Sequence, residues 1–80
     1  MRMIPVESTT FAAVAYDTPR QLLQLQFHAG ATYRYCGVPL PIYRALMEAA
    51  SKGKQFHHTI RGRFPYTVVS PDPPPQPTLA

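Results

Sequence analysis

The sequence predicts an α+β fold: an antiparallel meander of three or four strands packed against two C-terminal helices, in a single small domain. Three observations carry this expectation. Short β-like segments separated by turn residues occupy the stretch from Phe11 to Cys36, apolar residues recur at helical spacing between Pro41 and Ile60, and 80 residues accommodate one domain.

Phe11 to Tyr16 is apolar on both alternating faces, with Phe11, Ala13 and Ala15 on one and Ala12, Val14 and Tyr16 on the other. That pattern reads as a strand covered on both sides. Asp17-Thr18-Pro19-Arg20 supplies a turn, since Asp can bond the backbone ahead of it and Pro presets a compatible φ. In Gln21 to Phe27, Leu23, Leu25 and Phe27 share a face opposite Leu22, Gln24 and Gln26, as in a strand buried on one side. Gly30 can take the positive φ of a hairpin loop. Thr32 to Cys36 then forms a third strand, with Tyr33 and Tyr35 on one face.

Pro41 suits a first helical position, where its missing amide would be unpaired anyway. Ile42, Ala45, Leu46 and Ala49 follow at helical spacing, with Arg44 and Glu48 four apart on the outer side. Ser51 is a candidate cap for a second helix reaching about Ile60, and Gly62 fits the left-handed position beyond its end. Phe64 to Val69 reads as an edge strand that tolerates Pro65 near its start. Residues 1–69 are thus expected to form the domain, and 70–80, SPDPPPQPTLA, a disordered proline-rich tail.

A domain this small buries only about 60 to 65% of the surface its unfolded chain exposes, so it needs an aid to stability. Cys36 is the single cysteine, which excludes an intrachain disulfide and suits a reducing compartment. The three histidines and one cysteine show no zinc-ligand spacing. Oligomerisation, here a homodimer, is the expected aid. The first 17 residues lack a continuous apolar core of leader length, and no segment approaches the roughly 20 apolar residues of a membrane span. A cytoplasmic protein with no membrane attachment is expected.

The net charge of +4 is concentrated in Ser51 to Tyr66, SKGKQFHHTIRGRFPY. Lys52, Lys54, Arg61 and Arg63 have no carboxylate among them, whereas Arg2, Arg20, Arg34 and Arg44 are matched in number by Glu7, Asp17, Glu48 and Asp72. Clustered like charges do little for folding but guide polyanions. At about 100° per residue, Gly53, Phe56 and Ile60 fall on one side of the second helix. Lys54, His57, His58 and Arg61 gather on the other, extended by Lys52 and Arg63. The guanidinium groups fit phosphate bidentately, and the flanking Gly53 and Gly62 would let backbone amides approach an anion closely.

Other constellations point less far. Exposed rings beside a basic groove can stack nucleobases, with Tyr66 and Phe64 the candidates, although core packing accounts for most aromatics here. Adjacent helical residues such as His57 and His58 diverge by about 100° and cannot readily chelate one ion. No carboxylate near them in sequence could orient either ring. Tyr35 and Gly37 lend Cys36 no activating charge. No enzymatic activity, cofactor, metal or small-molecule substrate is expected.

IPVESTTFAAVAYD, TYRYCGVP and SKGKQFHHTIRGRFPY together resemble the KTSC domain, a small bacterial family named for its occurrence at the C-terminus of some lysyl-tRNA synthetases. The likeness covers roughly residues 4 to 69. The family pattern weights Ser51, Gly53, Phe56, Ile60 and Arg61; near His57 and His58, where it usually carries Asn or Lys, this chain has histidine. The resemblance implies a compact α+β domain with a role in binding nucleic acid.

Residues and resemblance together give a nucleic-acid-binding protein, with Lys52, Lys54, His57, His58, Arg61 and Arg63 as its contacts and Arg34 and Arg44 at the margin. Binding through phosphates carries low sequence specificity, and DNA, as for a nucleoid-associated protein, is favoured slightly over RNA. Four phosphate contacts per protomer give a log-log salt slope of about −3.6, which pairing of two protomers would double. The alternatives are an RNA- or tRNA-binding module, or an interaction module docking an acidic protein partner.

Overall fold

The computed structural model describes residues 1–70. The tail expected from residue 70 therefore lies outside the described residues, apart from Ser70, which closes the last strand. The elements run β1 (Ile4–Pro5), β2 (Phe11–Asp17), β3 (Leu22–Phe27), β4 (Thr32–Tyr35), α1 (Leu40–Glu48), α2 (Lys52–Thr59) and β5 (Tyr66–Ser70). All five strands join one antiparallel sheet in the order β1-β2-β3-β4-β5. The expected meander is present as β2 to β4. It gains β1 on one side, and the edge strand expected at Phe64 to Val69 follows the helices as β5.

Local chemistry accounts for the boundaries. The Ser8 hydroxyl accepts hydrogen bonds from the amides of Thr10 and Phe11 at 3.0 and 3.1 Å, turning the chain into β2. The Asp17 carboxylate accepts from the Arg20 amide at 3.3 Å, forming the expected turn. Gln21, expected to open β3, stays in that turn at φ 55, and β3 begins at Leu22.

The faces of β2 differ from a strict alternation. A β-bulge between Phe11 and Ala13 shifts the phase, so that Phe11 opposes Phe27 while Val14 opposes Leu25 and Tyr16 opposes Leu23. Phe11 thereby shares the helix-facing side with Val14 and Tyr16, and Ala13 and Ala15 move to the other side with Gln24 and Gln26. There Arg34 donates two hydrogen bonds to the Gln24 side-chain carbonyl, at 3.1 and 2.9 Å. The second face is thus small and polar rather than as apolar as the first.

The core lies between the sheet and the helices: Phe11, Val14, Leu23, Leu25 and Tyr35 from strands, Val38 from the loop, Leu46 from α1, and Phe56 and Ile60 from α2 and its end. Burying each large side chain contributes about 1.5 to 3 kcal/mol. Phe56 fixes α2 most directly. Its ring meets Phe11, Phe27 and Tyr35 edge-on, with centroids 5.4, 5.8 and 5.6 Å away. Among the described residues, no helix is long and apolar enough to cross a membrane.

Candidate nucleic-acid interface

The second helix begins where the Ser51 side chain accepts a hydrogen bond from the Lys54 amide at 3.4 Å. Its inner face is set by Phe56 and, at the C-cap, Ile60. With those residues turned into the core, helical geometry sends Lys54, His57, His58 and Arg61 outward, and all four are exposed. At the far end the Arg61 and Arg63 amides bond to the carbonyls of Phe56 and Ile60, both at 3.0 Å. Gly62 between them sits at φ 79, the left-handed conformation its position requires.

The cations do not all behave alike. Lys54 is exposed, whereas Lys52 is half-buried and its ammonium donates to the Ala49 carbonyl at 3.3 Å, drawing it off the stripe. Arg63 is exposed with its Nε–H on the His58 carbonyl at 3.1 Å, and Arg61 lies over His57. Among the described residues none of these cations pairs with a carboxylate; the ion pair present is Arg20 with Asp17, at 3.9 Å. Arg34 is engaged with Gln24, and Arg44 is exposed on α1.

Gly53 has a role that sequence reading misses. A Cβ built there would lie 2.4 Å from Thr10 Oγ1, so glycine is what lets α2 pack against the segment before β2. That packing places Thr9 and Thr10 beside Lys54, His57 and His58 in one cleft. Nothing local in the sequence signals the apposition, because it joins a loop to a helix far along the chain.

The tyrosines form a second group. Tyr35, 3% exposed, opposes Tyr66 across β4 and β5, and Tyr66 stacks on Tyr33 with centroids 5.1 Å apart and planes 18° apart. Burial pushes the Tyr35 phenol above its ordinary pKa, neighbouring Tyr66 and Tyr33 add to the rise, and the Arg61 guanidinium opposes it. Phe64, the other candidate ring, is half-buried against the core.

The remaining sequence candidates stay apart. The His57 and His58 rings lie 6.0 Å from each other at 81°, and Cys36 is a free, half-buried thiol. Among the described residues no three of His, Cys, Asp and Glu gather as a metal site.

Comparison with known proteins agrees with this architecture. A family model of the KTSC domain matches residues 7–64. A protein of Stutzerimonas stutzeri is 34% identical over 61 residues, spanning 76% of this chain and 86% of that protein. A lysine–tRNA ligase of a Nostoc species is 37% identical over 68 residues; the match takes in 85% of this chain but 12% of the ligase. The crystal structure of a KTSC domain protein from Yersinia pestis superimposes with a TM-score of 0.83 at 33% identity, covering 86% of this chain and 97% of that one.

Proposed function

The chain belongs to the KTSC domain family, and from that premise we propose that it binds nucleic acid through the phosphate backbone, with low sequence specificity. The observation that carries this reading is the exposed, carboxylate-free arrangement of Lys54, His57, His58, Arg61 and Arg63 along and just beyond α2. Guanidinium groups take phosphate oxygens in pairs and lysine adds a point charge, so this set suits a repeating anion better than a single carboxylate. The surface is cationic without a groove-reading pattern, which favours positioning contacts over base readout.

DNA is the first target. The Stutzerimonas relative is covered over most of its length, so the domain occurs with little else attached, and a basic domain on its own meets DNA phosphates as readily as any other. The likeness to a lysine–tRNA ligase supports the second reading, in which the same cations hold RNA. A homodimer, presenting two such surfaces, would double the number of phosphate contacts.

The test is a fluorescence-anisotropy titration against labelled duplex DNA, single-stranded DNA and tRNA at two salt concentrations, with Lys54→Ala/Arg61→Ala beside the wild type. Salt-sensitive binding that the double variant loses is the expected result, and the order of affinities ranks DNA against RNA. Binding to none of the three would overturn the reading in favour of an acidic protein partner.

A further inference from the structure

We propose that Tyr66 is a stacking platform for an unpaired nucleobase, so that this surface takes single-stranded polynucleotide in preference to duplex; the inference rests on the phosphate-binding reading above. Tyr66 is 55% exposed although it is among the largest side chains of the protein, and it stands on β5, the last strand of the sheet. One face of its ring rests on Tyr33, nearly parallel to it, and its neighbour across the strands is the buried Tyr35. A ring supported from below keeps its orientation with little further loss of freedom when a base settles on its open side.

Charge complementarity selects the occupant. Arg63 precedes Tyr66 by three residues and Arg61 by five, along the segment that leads from α2 into β5. Arg61 also stands close enough to Tyr35 for its charge to act on that phenol. The segment that carries these cations therefore runs directly into the aromatic group, the pairing of ring and basic track that binds single strands with little sequence preference. A duplex keeps its bases stacked inside and can use only the cations. A bare apolar partner would use only the ring and the neighbouring Val68 and Val69, which are 45% and 40% exposed.

The experiment measures binding of labelled oligo-dT, oligo-U and a duplex of equal length to wild type, Tyr66→Ala, Tyr66→Phe and Lys54→Ala/Arg61→Ala, each first checked for folding by circular dichroism. Stacking on one ring is worth about five- to 150-fold in affinity by alanine substitution. Tyr66→Ala should lose that factor on the single strands while leaving the duplex within about twofold, and Tyr66→Phe should retain the wild-type preference. Comparison of oligo-dT with oligo-U tells DNA from RNA.

Equal losses on single strand and duplex, or no loss on either, would overturn the platform, while sensitivity to Lys54→Ala/Arg61→Ala would leave the phosphate reading standing. Absence of binding by the wild type would overturn both. Should Tyr66→Ala alter only self-association in sedimentation, the edge is a contact between two copies of the chain and the platform is again overturned.

Discussion

Arg61 lies one turn beyond His57 on the outer side of α2, with its Nη1 3.3 Å from His57 Nδ1. Arginine carries only donors, so Nδ1 is the acceptor and the imidazole in this arrangement has its lone pair there. The bond restrains the guanidinium on the exposed side of the chain. His57→Ala, which removes the acceptor but neither a lysine nor an arginine, should weaken polyanion affinity while leaving the log-log salt slope unchanged. Anisotropy titrations in which His57→Ala binds as tightly as the wild type would show that this bond does not place Arg61 for the contact.

Lys52 turns back to the Ala49 carbonyl, which leaves Lys54, Arg61 and Arg63 as the exposed fixed cations of the stripe. On duplex DNA three phosphate contacts set a log-log salt slope of about −2.7 per protomer, shallower than the value four cations would give. A dimer that uses both surfaces on one duplex would show about −5.4. Lys54→Ala/Arg61→Ala should reduce the single-protomer slope to about −0.9, with little change in melting temperature because both side chains are exposed. Anisotropy titrations across several salt concentrations, paired with sedimentation equilibrium, separate these values; a slope indifferent to the double variant would place the contacts elsewhere.

The part of this structure that is legible in the sequence is local. Ser51 and Gly62 mark the bounds of α2 because capping and left-handed exit are decided within a few residues. Phe56 and Ile60 can be assigned to the inner face by helical period alone. What escapes is set by tertiary pairing. The bulge at Ala12 leaves no compositional mark, yet it moves Ala13 and Ala15 to the opposite face from Phe11. β1 is two residues long, too short for any alternation to show. The hold of Lys52 on Ala49 is a rotamer choice of a long side chain, and helical spacing is silent on it.

Tyr35 supplies an alkaline test of the core. Burial raises its phenol above the ordinary value of 10.0, with Tyr66 and Tyr33 adding to the rise and Arg61 opposing it. The folded chain holds that proton more tightly than the unfolded one. Its contribution to stability is complete below about pH 10 and is lost as pH climbs through the raised folded value. Melting temperatures taken at pH 8, 10 and 11 should fall more steeply for the wild type than for Tyr35→Phe. Parallel declines would assign the alkaline limb to other groups. Arg61→Ala, which removes the opposing charge, should move the limb to higher pH.

Gly53 decides how closely α2 approaches the segment before β2. In an unconstrained helix, Gly→Ala is favourable by about 1 kcal/mol. Here the new methyl would meet Thr10 Oγ1 at 2.4 Å and Thr10 Cβ at 3.2 Å. Threonine is stiff about χ1 and cannot simply swing aside, and crowding of this kind costs about 1 to 3 kcal/mol. Gly53→Ala should therefore destabilise the domain in urea unfolding, and adding Thr10→Ala should restore part of the loss, a coupling that independent sites would not show. Stabilisation by Gly53→Ala would mean that the close approach is not maintained. Because Thr10 and Lys54, His57 and His58 line the same cleft, lifting α2 should also weaken polyanion binding. No charge is removed, so affinity should fall while the salt slope stays as it is, which separates placement of the cations from their number.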